Sequence, residues 1–443
     1  MRQLLLWIPI LACVGCDRDS GEDFDVPETP LSDVEELSVP DSFDGIRLAP
    51  PASGDWPWWR GAGRNGRSKD SRVPVEWAEG RNVLWKAPIA GQGHSSPIVV
   101  GTKLFLTTAD RDAETQSVLA LDRETGRQIW DTVVHRGGMS AALNKKATFA
   151  DCTLASSGDQ LFALFLNDGG LHVSALDMDG KIQWQTRVGP FNTKFGYGSS
   201  PVLFESFVIV AGDDPQEGYL AALHRKTGKV MWRTARKTTK NGSYGTPLLV
   251  EVDDDTQLVI NGTWTVAGYN PRTGEQLWSV DSPAEASCNT MAAGKDFVYA
   301  SGGTPKRRTM CVRPDATLEP GTERVVWTED RASATCYVPS LLWHDGMLFN
   351  LYDQGILSCF DGRTGEVHWR KRLGGNFSAS PVYAAGHLYL CSEEGTTYVV
   401  RASPDYKRVA VNELDSGFMA SPAICGGRIY LRTKTHVYCI SKS

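Results

Sequence analysis

Short apolar runs bounded by turn residues recur along this chain, as in SVLALD ending at Asp122 and YLAALH ending at His224. Each is followed by a polar turn carrying Gly, then by three residues and a tryptophan. Leu121–Trp130 reads LDRETGRQIW, Leu176–Trp184 LDMDGKIQW, Leu223–Trp232 LHRKTGKVMW, Tyr269–Trp278 YNPRTGEQLW and Phe360–Trp369 FDGRTGEVHW. A diverged copy covers 312–327, with an insertion before its Trp, and VLWKAPI around Trp85 matches only the tail of a copy. The apolar run reads as a buried strand. The T-G or D-G is a tight turn in which Gly supplies positive φ. The segment ending in Trp opens a second strand that buries a large indole. Successive tryptophans lie 42 residues (Trp327 to Trp369) to 54 residues (Trp130 to Trp184) apart, which is the mark of a repeat architecture.

A second unit precedes each hairpin and reads as strand, polar or Gly-bearing turn, strand. Clear copies begin at Ser95 (SSPIVVGTKLFLTT), Ser199, Gly245, Ala379 and Ala420, and weaker ones at Cys152, Asn289 and Pro339. That makes eight, and with the hairpins it predicts eight four-stranded antiparallel units. Four-stranded repeats arranged radially are propeller blades. The last unit, from Ala420, is followed by HVYCIS and then the chain ends, so it holds three strands and lacks a fourth. Val83–Ile89 is a fourth strand without a blade. Pairing the two closes the ring and removes an edge that would otherwise stay open. The expected fold is therefore all-β, an eight-bladed β-propeller whose N-terminal strand completes the last blade.

The A-x-D-x-x-T-G-x-x-x-W pattern (Ala120, Asp122, Thr125, Gly126, Trp130) resembles the pyrroloquinoline quinone (PQQ)-type repeat. Over 55–443 the chain resembles PQQ-like β-propeller proteins, and its layout is similar to that of the propeller lipoprotein of the bacterial outer-membrane protein assembly machine. DWPWWRGAGRNGRS (Asp55–Ser68) resembles the opening of many bacterial PQQ-repeat proteins. The resemblance implies the fold. It leaves function open, because this propeller serves both enzymes and scaffolds.

With 443 residues, 41% hydrophobic, 44 Gly and 14 Trp, the composition suits one turn-rich ring rather than several domains. The net charge of −6 carries no basic face for nucleic acid. Residues 1–16 read as a lipoprotein signal peptide: Arg2, an apolar run too short to span a bilayer, and small residues before Cys16, with Cys13 the alternative attachment site. Residues 17–54 are acidic, with too little apolar surface to fold alone, and read as a tether with a helical turn at most around 31–37.

Export permits disulfides. Eight cysteines remain beyond the leader. Cys311, Cys359 and Cys439 occupy the small-residue column held elsewhere by Ala120, Ala175, Ala222 and Gly268, so packing explains them. Cys391 and Cys425 lie in neighbouring blades, where a bridge is conceivable. The enzyme alternative implied by the resemblance is a periplasmic PQQ-dependent dehydrogenase of alcohols or sugars, with Ca²⁺ beside the quinone and a nearby Asp as base. The adjacent cysteine pair of the family's alcohol oxidisers and a C-x-x-C-H haem site do not occur here, and no motif places the calcium ligands.

The residues just before each strand-turn-strand unit are expected to ring the channel mouth: His94, Asp151, Tyr197, Tyr244, Cys288, Asn289, Tyr337, Phe377 and Phe418. Such a collar either stacks a planar ligand or grips a peptide, or simply plugs the funnel by packing on itself. Gly61–Gly66 fits G-x-G-x-x-G but follows no strand, so it reads as a surface loop after the Trp56, Trp58 and Trp59 cluster, which caps a propeller face. Asp253–Asp255 reads as a solvated hairpin tip, and the histidines show no zinc spacing. Ser95, Ser96, Ser199 and Ser200 recur as repeat features. The favoured reading is an exported, lipid-anchored propeller that binds a protein or polypeptide partner, alone or as a subunit of a complex, on the periplasmic side of a membrane.

Overall fold

The computed structural model describes residues 47–139, 144–193, 195–253, 255–318 and 321–442. Residues 1–16, with Cys13 and Cys16, and nearly all of the acidic stretch lie outside them. The described chain forms eight four-stranded antiparallel sheets. Blades 1 to 7 span 98–136, 155–190, 202–236, 248–281, 292–329, 342–372 and 382–413. Blade 8 joins strands Ala423–Cys425, Arg428–Arg432 and His436–Ile440 to Val83–Pro88, which pairs antiparallel with His436–Ile440. The ring thus closes with the pairing the sequence predicts. Blade 5 departs from the repeat. A two-stranded accessory sheet, Ala284–Ala286 with Thr304–Pro305, stands beside it.

The recurring turn motif holds one blade to the next. Within a blade, Ala120, Ala175, Ala222, Gly268, Cys311, Cys359 and Cys439 pair directly with Trp130, Trp184, Trp232, Trp278, Trp327, Trp369 and Trp85. A small residue opposite each indole is what lets it lie down. Several of these rings then reach the turn of the following blade. Trp130 Nε1 donates to Met178 O, Trp184 Nε1 to Arg225 O at 2.8 Å, and Trp327 Nε1 to Gly362 O at 2.9 Å. The turn Gly is needed twice over. At Gly126 φ is +72°, and a Cβ there would stand 2.6 Å from Cε3 of Trp85. Asp122 fastens the same turn by accepting from the backbone N–H groups of Glu124 and Thr125 and from the Thr125 hydroxyl. Those bonds hold its carboxyl below the usual range, the Thr125 hydroxyl most strongly.

Blade 7 has no such tryptophan; Val399 pairs with Ala410 instead. Trp77, from outside the blades, fills the position. It stacks on Tyr389 at 6.4 Å, as Trp85 lies against Tyr430 and Trp369 against Phe349. Its backbone N–H donates to Asn412 Oδ1. All eight cysteines of the propeller are free thiols, Cys391 and Cys425 included, and seven are buried. The bridge conceived for that pair is absent. Cys391 instead packs in the core and its Sγ accepts from the Thr397 hydroxyl.

Candidate functional site

In each blade the chain enters at the axis with a Ser or Thr: Ser96, Thr153, Ser200, Thr246, Thr290, Ser340, Ser380 and Ser421. All eight are buried. They form a ring of hydrogen bonds. Ser96 N donates to Thr153 Oγ1, Thr153 N to Ser200 Oγ and Ser200 N to Thr246 Oγ1. Thr290 N donates to Ser340 Oγ, Ser340 N to Ser380 Oγ and Ser380 N to Ser421 Oγ. Ser421 N reaches back to Ser96 Oγ at 3.0 Å, so that among the described residues the ring is interrupted only between Thr246 and Thr290. At Thr290 the hydroxyl accepts from the indole Nε1 of Trp59 at 2.8 Å. The serines that looked like mere repeat features are the hoop holding the blades around the axis.

Trp59 belongs to a segment that crosses one end of the channel. Trp56 exchanges backbone hydrogen bonds with Val99 of blade 1, Pro57 O accepts from Ser156 N of blade 2, and Arg64 donates to Leu203 O of blade 3. Tyr383 of blade 7 exchanges backbone bonds with Gly66 and Ser68. Arg64 also lies over the Trp58 ring at 4.0 Å. Arg60 is buried, donating to Leu341 O and Asn65 O, and burial draws its guanidinium down to about 10. The G-x-G-x-x-G stretch is part of this plug.

Above the hoop lies a cavity of about 380 Å³, open on the opposite side and floored by Trp59. His94, Asp151, Tyr244, Cys288 and Tyr337 line it, together with Phe195, Met419 and Lys146. The structure places the other four expected residues elsewhere. Tyr197 is packed against Phe191, with its hydroxyl donating to Ala211 O. Asn289 donates to the carbonyls of Cys336 and Tyr337. Phe377 and Phe418 are buried in interblade clusters. The reason is strand alternation: side chains two residues apart share a face. Residues two before the hoop hydroxyl face the cavity, namely His94, Asp151, Gly198, Tyr244, Cys288, Val338, Ser378 and Met419. Tyr197, Phe377 and Phe418 stand three before it and Asn289 one before it. Tyr337, also three before, still reaches the cavity, its N–H donating to Asp353 Oδ2.

The ionisable groups gather on the arc of blades 8, 1 and 2. Asp151 accepts from the N–H and hydroxyl of Thr148, yet burial raises its carboxyl to about 7. Burial, with Arg432 next in effect, lowers His94 to about 4. Arg432 is itself buried and drawn down to about 9, with Nη1 donating to Ser95 O. Burial lifts the Cys288 thiol to about 12, so it is no nucleophile. At the rim Lys146 pairs with Glu393 at 2.7 Å. The opposite arc is aromatic. Among the described residues no three His, Cys, Asp or Glu side chains converge on a point that could hold a metal ion.

Comparison with known proteins adds the lineage. The family model described as "Outer membrane protein assembly factor BamB" matches residues 69–186, 171–314 and 316–404. The outer membrane protein assembly factor BamB of Yersinia pestis is 21% identical over 413 residues, covering 87% of this chain and 94% of that one. The crystal structure of BamB from Moraxella catarrhalis superposes with TM-score 0.56 at 12% identity, over 81% of this chain and 99% of its own. Quinohemoprotein alcohol dehydrogenase from Comamonas testosteroni superposes with TM-score 0.62 at 12% identity, over 90% and 82%. At such identities the two superpositions speak for the fold alone.

Proposed function

The chain belongs to the family of outer membrane protein assembly factor BamB, and on that premise we propose that it works by binding: a stiff disc in the bacterial cell envelope that holds a protein or polypeptide partner. The family match carries this reading. The hoop and the Trp–turn latches support it, because they make a frame whose loops and cavity are pre-organised for a partner. The outer strand of each blade, nine residues long at Gln128–Arg136 and Ile182–Pro190, offers an edge to which an extended segment can add. In this reading the chain is exported and lipid-anchored at Cys16, or at Cys13, on the periplasmic side, with residues 17–54 as tether.

The quinone alternative suits the site poorly. Calcium takes six to eight oxygen ligands, roughly, and the cavity wall offers one carboxyl, Asp151, already engaged with Thr148. Affinity capture of the tagged lipoprotein from membranes is expected to bring down a stoichiometric envelope partner. Mass spectrometry of the mature N-terminus is expected to show an acylated cysteine. Dye reduction by the purified protein with PQQ, Ca²⁺ and alcohols or sugars, in the absence of any captured partner, would refute the binding reading.

A further inference from the structure

The hoop hydroxyls serve only as acceptors. Each takes an N–H, from the backbone of the neighbouring blade or from Trp59, and none donates its own proton to another described residue. The Thr246 hydroxyl, for example, accepts from Ser200 N and gives its proton to no described residue. A hydroxyl is one donor and two acceptors. Each hydroxyl thus keeps its O–H, and one lone pair, for whatever occupies the axis.

The surroundings are equally short of acceptors. Arg60 beneath the floor has Nε and Nη1 buried without a partner, and Arg432 behind the wall has a buried, unpartnered Nε. Neither guanidinium touches a carboxylate. The one acid in the wall, Asp151, is turned to Thr148, and its raised pKa leaves it only part of its charge at neutral pH. Lys146 is already paired with Glu393. Those two guanidiniums favour an anion at the axis, but neither lines the cavity, so the direct contacts are neutral O–H donors, which suit a singly charged head group better than a phosphate seeking cations at contact. Across the cavity Tyr244 and Tyr337 supply an apolar wall.

The geometry points to a carboxylate on an apolar body as the ligand of the axial cavity, its oxygens on the hoop hydroxyls and its body against Tyr244 and Tyr337. This rests on the binding reading above and adds the chemistry of what is bound. Such a group comes either from the C-terminus of a polypeptide or from a free small acid.

The test is calorimetric titration of the full chain with 3-phenylpropionate and its amide, and with a short peptide ending in Phe, free or amidated at its C-terminus. The acids are expected to bind at least about tenfold tighter than the amides, the factor set by one hydrogen bond to a charged group. A much tighter peptide acid identifies a chain terminus as the source; equal acids identify a free small molecule. In an alanine scan of the hoop, at least one folded variant is expected to lose several-fold of the acid affinity and none of the amide affinity. Phe195→Ala, at the exposed rim, is expected to weaken acid and amide alike. Equal affinity of acid and amide, no saturation up to about 10 mM, or a hoop scan without effect on acid binding would overturn the inference. A captured partner without carboxylate selectivity would sink this inference alone; carboxylate binding without any partner would sink the scaffold reading alone.

Discussion

Gly126→Ala offers a direct test of the latch between blades. The backbone there has φ +72°, and a left-handed conformation costs an L-residue about 1–2 kcal/mol. That part is common to many turns. The specific part is the Trp85 ring, whose Cε3 and Cδ2 would stand 2.6 and 2.8 Å from the new Cβ. Ordinary carbon contacts lie near 3.5–4.0 Å, so the indole must retreat by about 1 Å. Retreat breaks the 3.2 Å bond from Trp85 Nε1 to Arg123 O, worth about 1 kcal/mol. Overpacking adds about 1–3 kcal/mol. The sum is about 3–6 kcal/mol. Gly346→Ala is the control: its φ is +77°, and nothing lies within 4 Å of the added Cβ. It should cost only the backbone part. Urea unfolding followed by tryptophan fluorescence gives both differences from the midpoints. In a Trp85→Ala background, Gly126→Ala should fall to the control value, because the two side chains are coupled. Equal costs for Gly126→Ala and Gly346→Ala, or a cost that survives removal of Trp85, would refute the latch.

The cavity wall should show opposed pH effects. His94 has a folded pKa of about 4, below its ordinary 6.5, so its contribution is present above 6.5 and lost on acidification. Asp151 has a folded pKa of about 7, above its ordinary 3.8, so its contribution is present below 3.8 and lost as pH rises towards 7. Relative to wild type, His94→Gln should gain stability as pH falls from 6.5 to 4, and Asp151→Asn should gain as pH rises from 4 to 7; urea midpoints shifting the same way in both would contradict the assignment. The buried pair Arg236–Asp213, at 2.6 Å, makes a sharper case: Asp213→Asn should cost about 3–5 kcal/mol, because it strands a buried cation. Glu76→Gln, at the exposed Arg81 pair, should change urea stability by no more than about 1 kcal/mol. Finally, iodoacetamide followed by peptide mapping should leave the seven buried propeller cysteines unmodified in the native protein and label them in urea, since burial shields their thiols and raises their pKa. Native labelling of Cys391 or Cys425 would contradict the packing.

The ring was legible because its parts repeat. Turn glycines, small residues opposite tryptophans and Ser-Pro starts recur with a common physical cause, so eight units and their closure follow from counting. The cavity was legible only in part. The residues before each hoop hydroxyl keep a constant spacing but vary in type, and a shift of one position turns a side chain from axis to core. Tyr197, Phe377 and Phe418 stand one position off the facing parity, whereas Gly198, Ser378 and Met419 hold it. A rule tying the site to the recurring Ser or Thr by parity would have found them. Trp77 carried no such signal. It stands in no repeat, and its role exists only because blade 7 lacks an indole of its own. The path of Asp55–Ser68 under several blades is likewise set by single long-range bonds that no local pattern encodes.

Closure by Val83–Pro88 has a consequence for biosynthesis. Translation delivers that strand early and its neighbour, His436–Ile440, only after all seven intervening blades. Every intermediate length leaves two unsatisfied sheet edges, each a template for stray pairing. Completion therefore waits on the eighth blade: a nascent polypeptide halted just short of His436 holds nearly all the strands of the ring and still cannot shut.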